Sequence, residues 1–305
     1  MPILLLLPAV GLAATLTVDP ASSGAYPTIQ DAIDAASSGD RIEVVAGSYG
    51  ECIDYSGKTL EIVGLSGSAS TTLNAGGSCS AAATLSQGEG AGTRLQGFTL
   101  RNRGGRGVSI QGASLELQDV IFDGTGSPSL DGGGLQAENG AVELDSVSFD
   151  ATTGDRGGAI FLENSSLIAT SSTFHDSYAT QGGTVATSGS SSLSLESCTV
   201  DTSTSDQEGG ALYLGTGGEA TSSNSTWTGI SAWYGHGGMG YLETGAQLHL
   251  DNDSFTSISL PFASTGYDGG LIYAEGGAAL ETIAITVEAA NARTGGMIYL
   301  DDQGT

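Results

Sequence analysis

The feature that most constrains this chain is a pair of glycines that keeps returning. It stands at 104–105, 132–133, 157–158, 182–183, 209–210, 237–238, 269–270 and 295–296. The successive intervals are 28, 25, 25, 27, 28, 32 and 26 residues. A recurrence of this length marks a solenoid. Each unit has three parts. A short apolar strand follows the glycines, as in Ala159-Ile160-Phe161-Leu162. A Leu-x-Leu strand comes next, as in Leu193-Ser194-Leu195. The third part ends in a large apolar residue, giving the column Phe122, Phe149, Phe174, Val200, Trp227, Phe255 and Val287.

Three short strands in about 26 residues make one triangular coil. Stacked coils lie ~4.8 Å apart, so equivalent positions form columns along the solenoid. The Phe/Trp/Val column is read as core. The glycine pair is read as a corner, where one residue takes positive φ and the next coil leaves no room for a Cβ. A phosphate cradle is excluded, because no helix N-terminus and no lysine follow the glycines. The expected fold is all-β: a single right-handed parallel β-helix of about ten coils, with an amphipathic helix capping its N-terminal end.

Composition supports this. Gly is abundant at 49 residues, while aromatics are 6% and charged residues 14%. That suits many short strands and tight turns. The regular return of apolar runs excludes disorder for most of the length. There are 34 acidic and 8 basic residues, a net charge of −26, and Lys58 is the only lysine. Such a surface repels nucleic acid, anionic membranes and polyuronates.

Residues 1–13 read as a signal peptide, apolar and then small, so export is expected. No later run reaches about 18 apolar residues, and no membrane span is expected. Residues 14–60 read as the N-terminal cap and first coil, and 61–305 as the repeats. The chain stops just after a repeat begins, so a continuation is expected. Within the cap, Thr28 is a good N-cap with Asp31 three residues on, and Ile29, Ala32, Ile33 and Ala36 fall on one helical face.

The stretch Tyr26-Pro27-Thr28-Ile29-Gln30-Asp31-Ala32-Ile33, continuing to Ile53, resembles the opening of pectin-lyase-like parallel β-helix proteins. In those proteins a short helix plugs the solenoid. Gly47-Ser48-Tyr49-Gly50-Glu51 resembles the first motif of pectin methylesterases, where the resemblance implies a structural role. Phe149 through Ile160, with its Gly157-Gly158-Ala159-Ile160, resembles the polymorphic outer-membrane protein repeat, although the Asn of that repeat is not kept. This second resemblance implies an exported, outer-membrane-associated surface protein. The later methylesterase motifs and the polygalacturonase motifs are missing.

Cys52 and Cys79 lie 27 residues apart, close to one repeat, and Cys198 is left over. A Cys52–Cys79 disulfide on neighbouring coils and three buried thiols are both open readings.

Two outward columns can carry chemistry. Glu138, Glu163, Glu243, Glu275 and Asp301 share one repeat position. Carboxylates stacked at strand spacing repel unless a cation bridges them, which makes them candidate calcium ligands; splayed, solvated side chains are the alternative. The second column precedes the glycines: Asp131, Arg156, Gln181, Glu208, His236, Asp268 and Thr294. Beside it stand two aromatic-rich loops with Trp233, Tyr234 and His236, and with Tyr267 and Asp268. Aromatic rings beside carboxylates suit sugar binding, although a loop can also pack its own rings down. Arg101, Arg103 and Arg106 form the one basic cluster. Pairing with the acidic surface is the expected role. The functional expectation is a non-catalytic stalk, adhesin or glycan-binding surface whose partner is a polysaccharide or cell-surface glycan. The alternative is a polysaccharide lyase or glycoside hydrolase. No catalytic residue is assigned.

Overall fold

The computed structural model describes residues 13–261, 269–291 and 296–301. Nearly all of it is β, in a right-handed parallel solenoid with one short helix. The first wall holds ten parallel strands, from Ile53–Asp54 to Ile298–Leu300. The second wall runs from Thr15–Val18 to Ala279–Ile283, and the third from Gly47–Tyr49 to Thr286–Asn291. Register is kept from coil to coil. Phe149 lies between Phe122 and Phe174, and Leu167 between Val142 and Leu193.

The middle coils carry a fourth piece that periodicity did not reveal. Tyr178–Ala179, Thr204–Ser205 and Ser231–Ala232 pair as two-residue strands just before the glycines. Single bridges extend this column back through Thr153 and Gly126 to Arg103. Two-residue strands have no readable alternation, which is why they pass for loops in the sequence.

The glycine pairs act as expected. Gly132, Gly157, Gly182, Gly209, Gly237 and Gly269 have φ between 60° and 76°. The second glycine faces backbone: a Cβ on Gly183 would meet the carbonyl oxygens of Gly210 and Thr204. The corner between second and third walls is left-handed too, at Asp119, Ser146, Ser171, Ser197, Asn224, Asn252 and Ala284. These are mostly short polar residues, the types that tolerate this conformation.

The core is a stack. Rings of Phe122 and Phe149 lie 4.3 Å apart, and those of Phe149 and Phe174 5.1 Å apart, all nearly parallel. Trp227 and Phe255 continue it after Val200. Truncating one such buried ring costs about 3–5 kcal/mol.

Helix α1 (Ile29–Ala35) closes the N-terminal end, burying Ile29, Ala32 and Ile33. Thr28 Oγ1 accepts from Asp31 N at 3.1 Å. The Glu51 carboxylate accepts from Ile29 N and Gln30 N, each at 2.9 Å. At the other end, Lys58 donates to the carbonyls of Ile33 and Asp34, at 2.7 and 2.9 Å. Negative charge at the start and positive charge at the end both suit the helix dipole. Cys52 and Cys79 are bonded as a disulfide, with Cα atoms 6.6 Å apart, and Cys198 is a buried free thiol. No helix among the described residues is long and apolar enough to cross a membrane.

Candidate functional site

The outward face of the first wall carries a tyrosine ladder. Tyr213, Tyr241, Tyr273 and Tyr299 are register partners on successive coils. Their rings stack at 5.5, 5.1 and 5.2 Å with interplanar angles of 3°, 6° and 13°. Each tyrosine stands three residues after the second glycine of its unit. The spacing of the ladder is therefore present in the sequence itself.

The candidate calcium column runs beside this ladder, and three of its members, Glu243, Glu275 and Asp301, accept hydrogen bonds from the tyrosines. Tyr213 donates its hydroxyl to Glu243. Tyr241 donates to Glu275 at 2.6 Å, and Tyr273 to Asp301 at 3.1 Å. Thr216 and Thr244 each add a backbone N–H and a hydroxyl to the second oxygen of Glu243 and Glu275, respectively. Each carboxylate thus bonds to the coil before it. Glu138 and Glu163 are register partners, and Gln111 donates to Glu138 at 3.4 Å. Among the described residues, no group of three or more His, Cys, Asp or Glu side chains is placed to hold a metal ion.

The electrostatics follow from these bonds. Burial first, and then the adjacent carboxylate, push the Tyr213, Tyr241 and Tyr273 hydroxyls well above the ordinary phenol range. Burial alone would raise the Glu243 carboxyl. Hydrogen bonds from Tyr213 and Thr216 outweigh it and hold the group below its usual value. Tyr213, Tyr241 and Tyr273 therefore stay neutral and Glu243 stays charged. The ring faces of the ladder are covered by one another, so it offers no open platform for a pyranose.

The column before the glycines bonds along the solenoid axis. Arg156 grips both oxygens of Asp131, at 3.1 and 2.7 Å, with its guanidinium 4.2 Å from the Phe161 ring centroid. Gln181 donates to Glu208 at 3.1 Å. The His236 ring lies 4.4 Å from Tyr273.

Exposed rings occur one loop further out. Trp233 is 36% and Tyr234 55% exposed. They follow Ser231–Ala232, and their backbone N–H groups bond to the carbonyls of Ser205 and Asp206. Tyr178 meets Trp233 edge-on at 6.3 Å and donates to Asp206 at 2.6 Å. Burial, followed by this carboxylate, pushes the Tyr178 hydroxyl up to about 12. The structure thus brings Trp233, Tyr234 and His236 to one edge of the solenoid, with Tyr178, Asp206 and Glu208 beside them. Tyr267 and Asp268 lie outside the described residues.

No family model matches the chain, and no curated protein matches it. Two solved structures are similar in the course of the chain. One is the pectin methylesterase from carrot, 16% identical, covering 95% of this chain and 88% of that one, with a TM-score of 0.49. The other is a mannuronic acid-specific polysaccharide family 6 lyase from human gut microbiota, 9% identical, covering 91% and 83%, with a TM-score of 0.34. Likeness at this level carries nothing about activity.

Proposed function

We propose that this chain is an exported, surface-associated and non-catalytic β-helix that binds a glycan at the edge formed by Trp233 and Tyr234. The observation that carries the reading is the exposure of these two rings beside hydrogen-bonding groups on Tyr178, Asp206 and Glu208. Apolar ring surface flanked by fixed polar groups suits a saccharide, which presents C–H faces and hydroxyls together. Export is supported by the apolar residues at 1–13 and by the disulfide, which an oxidising compartment permits. The binding reading is preferred to hydrolysis because Asp206 and Glu208 each already accept a side-chain hydrogen bond. An inverting pair of carboxyls instead needs open space for a water.

The test uses tryptophan fluorescence. There are two tryptophans, and Trp227 is fully buried, so a ligand-dependent change reports on Trp233. A glycan array supplies the ligand, screened with and without calcium. The expected outcome is saturable quenching that Trp233→Ala removes and Trp233→Phe weakens by less, with no release of reducing ends or unsaturated product. Product release from any polysaccharide would move the assignment to a carbohydrate-active enzyme. A full array with no hit would overturn glycan binding.

A further inference from the structure

The strongest feature outside this site is a cationic hollow on an otherwise acidic molecule. Of the described basic side chains, Arg41, Arg94, Arg101 and Arg156 pair with carboxylates. Lys58 caps α1, and Arg106 donates to the Asp131 carbonyl at 2.7 Å. Arg103 makes no side-chain hydrogen bond or ion pair among the described residues, although 34 acidic residues are available. It is exposed, and with Asn74, Gly76, Arg101 and Asp123 it lines a depression of about 420 Å³.

The hollow is held from both sides. Asn102, next to Arg103, is fully buried and donates to the carbonyls of Cys79 and Arg106, at 3.1 and 2.8 Å. Its carbonyl oxygen accepts from Gly77 N at 3.0 Å. Gly77 itself lies directly against the Arg103 backbone, so close that a Cβ would meet the Arg103 carbonyl oxygen. The loop carrying Gly76 and Gly77 is tied by the Cys52–Cys79 disulfide. Arg101 uses Nε on Asp123, at 2.7 Å. Its two terminal nitrogens make no other hydrogen bond among the described residues. The lining thus offers two guanidiniums with N–H groups to give and one carboxylate, Asp123, whose register partner Asp150 is the next acid along the wall.

We infer that this hollow binds an oxyanion, a carboxylate or sulfate group carried on a saccharide that is otherwise neutral. Guanidinium forks match such groups in plane and pair with them by two hydrogen bonds. The restriction to sparse charge comes from the rest of the molecule. At physiological salt a charge is felt over about 8 Å, so a single anionic group in the hollow escapes most of the −26 field. A polyuronate would have to lie along it. Arg103 begins the short fourth column that leads through Gly126, Thr153, Tyr178 and Thr204 to Ser231, so the hollow and Trp233 share one edge. The inference stands without the Trp233 reading.

The experiment follows the arginine Nε–H resonances by NMR while sodium glucuronate, inorganic sulfate, glucose or polygalacturonate is added. Glucuronate and sulfate should shift the Arg103 and Arg101 signals saturably, and glucose should not. Arg103→Gln should weaken glucuronate about tenfold, and Asp123→Asn should tighten it, since a competing acceptor is removed. Polygalacturonate, counted per uronate, should bind more weakly than the monosaccharide, and the gap should narrow as salt rises. Thermal melting of Arg103→Gln at the wild-type temperature confirms that the fold is intact. Sulfate binding without glucuronate would overturn the saccharide assignment. Equal shifts with glucose, unchanged saturation in Arg103→Gln, or no shift at all would overturn the site.

Discussion

Asp253 stands where the interior corner column carries Ser172, Cys198 and Ser225 on the coils below. The serine hydroxyls accept from the backbone N–H of the preceding coil: Ser172 from Val147 at 3.2 Å and Ser225 from Cys198 at 3.0 Å. Asp253 does the same for Ser225 N with Oδ1 at 2.7 Å, but its buried Oδ2 lacks a well-formed hydrogen bond. Burial raises its carboxyl pKa, outweighing the lowering effect of the Ser225 N–H and of the nearby Ser222 hydroxyl. A raised folded pKa favours the protonated form, so its contribution is whole at low pH and is lost as pH rises through the folded value. Asp253→Ser should therefore stabilise the protein at pH 7 by about 1–2 kcal/mol, with the gain shrinking toward pH 4. Denaturant melts across pH measure this, and a gain independent of pH would assign it to packing instead. Single residues were also the hardest to read in the sequence. Asn164, Asn224 and Asn252 each begin an Asn-x-Ser/Thr triplet, and all three occupy left-handed corners, a backbone role that the triplet does not announce. The aromatic core column was legible because its members repeat with the coil. Arg103 and Asp253 were not, because nothing at their repeat positions recurs with the same chemistry.

The elements are held by close approach of backbones, and the glycine pair sets that approach. Gly183→Ala should cost about 3 kcal/mol or more, since its Cβ would meet main-chain oxygens that cannot turn away. Gly24→Ala is the control, with nothing within 4 Å of the added carbon. Urea denaturation of the two variants gives the comparison, and equal midpoints would show that the coil relaxes around the new methyl. Glycine spacing made the three walls and the corner legible, because a steric requirement repeated on every coil leaves a fixed letter. Helix α1 was legible from its N-cap and apolar face. Its closure by Glu51 and Lys58 was not, because those partners arrive from other parts of the chain. The Tyr–Glu bonds of the first wall were hidden for a related reason. The carboxylate column reads as a set of like charges, but the tyrosine partners of Glu243, Glu275 and Asp301 lie on the neighbouring coil.

At the scale of the whole molecule, charge is the dominant unbalanced term. Ion pairs such as Arg41–Glu61 and Arg94–Glu116 form a short alternating ladder on the second wall, but they engage only a few of the 34 acids. Self-repulsion of the remainder should be relieved by salt. Raising NaCl from low to physiological concentration should raise Tm by about 5 °C. Calorimetry at constant pH tests it, and a falling Tm would mean that the ion-pair ladder outweighs the repulsion. The stacked architecture has a further effect on the two surface features near Arg103 and Trp233. The column that joins them advances by five coil steps, from Arg103 to Ser231, or ~24 Å at the spacing of sheet strands. Their separation is graduated like a ruler. Insertions within a coil bulge outward and leave it unchanged, so it changes only when a complete coil is added or removed. A ligand long enough to touch both would be selected by its length, and the repeat count would set that length.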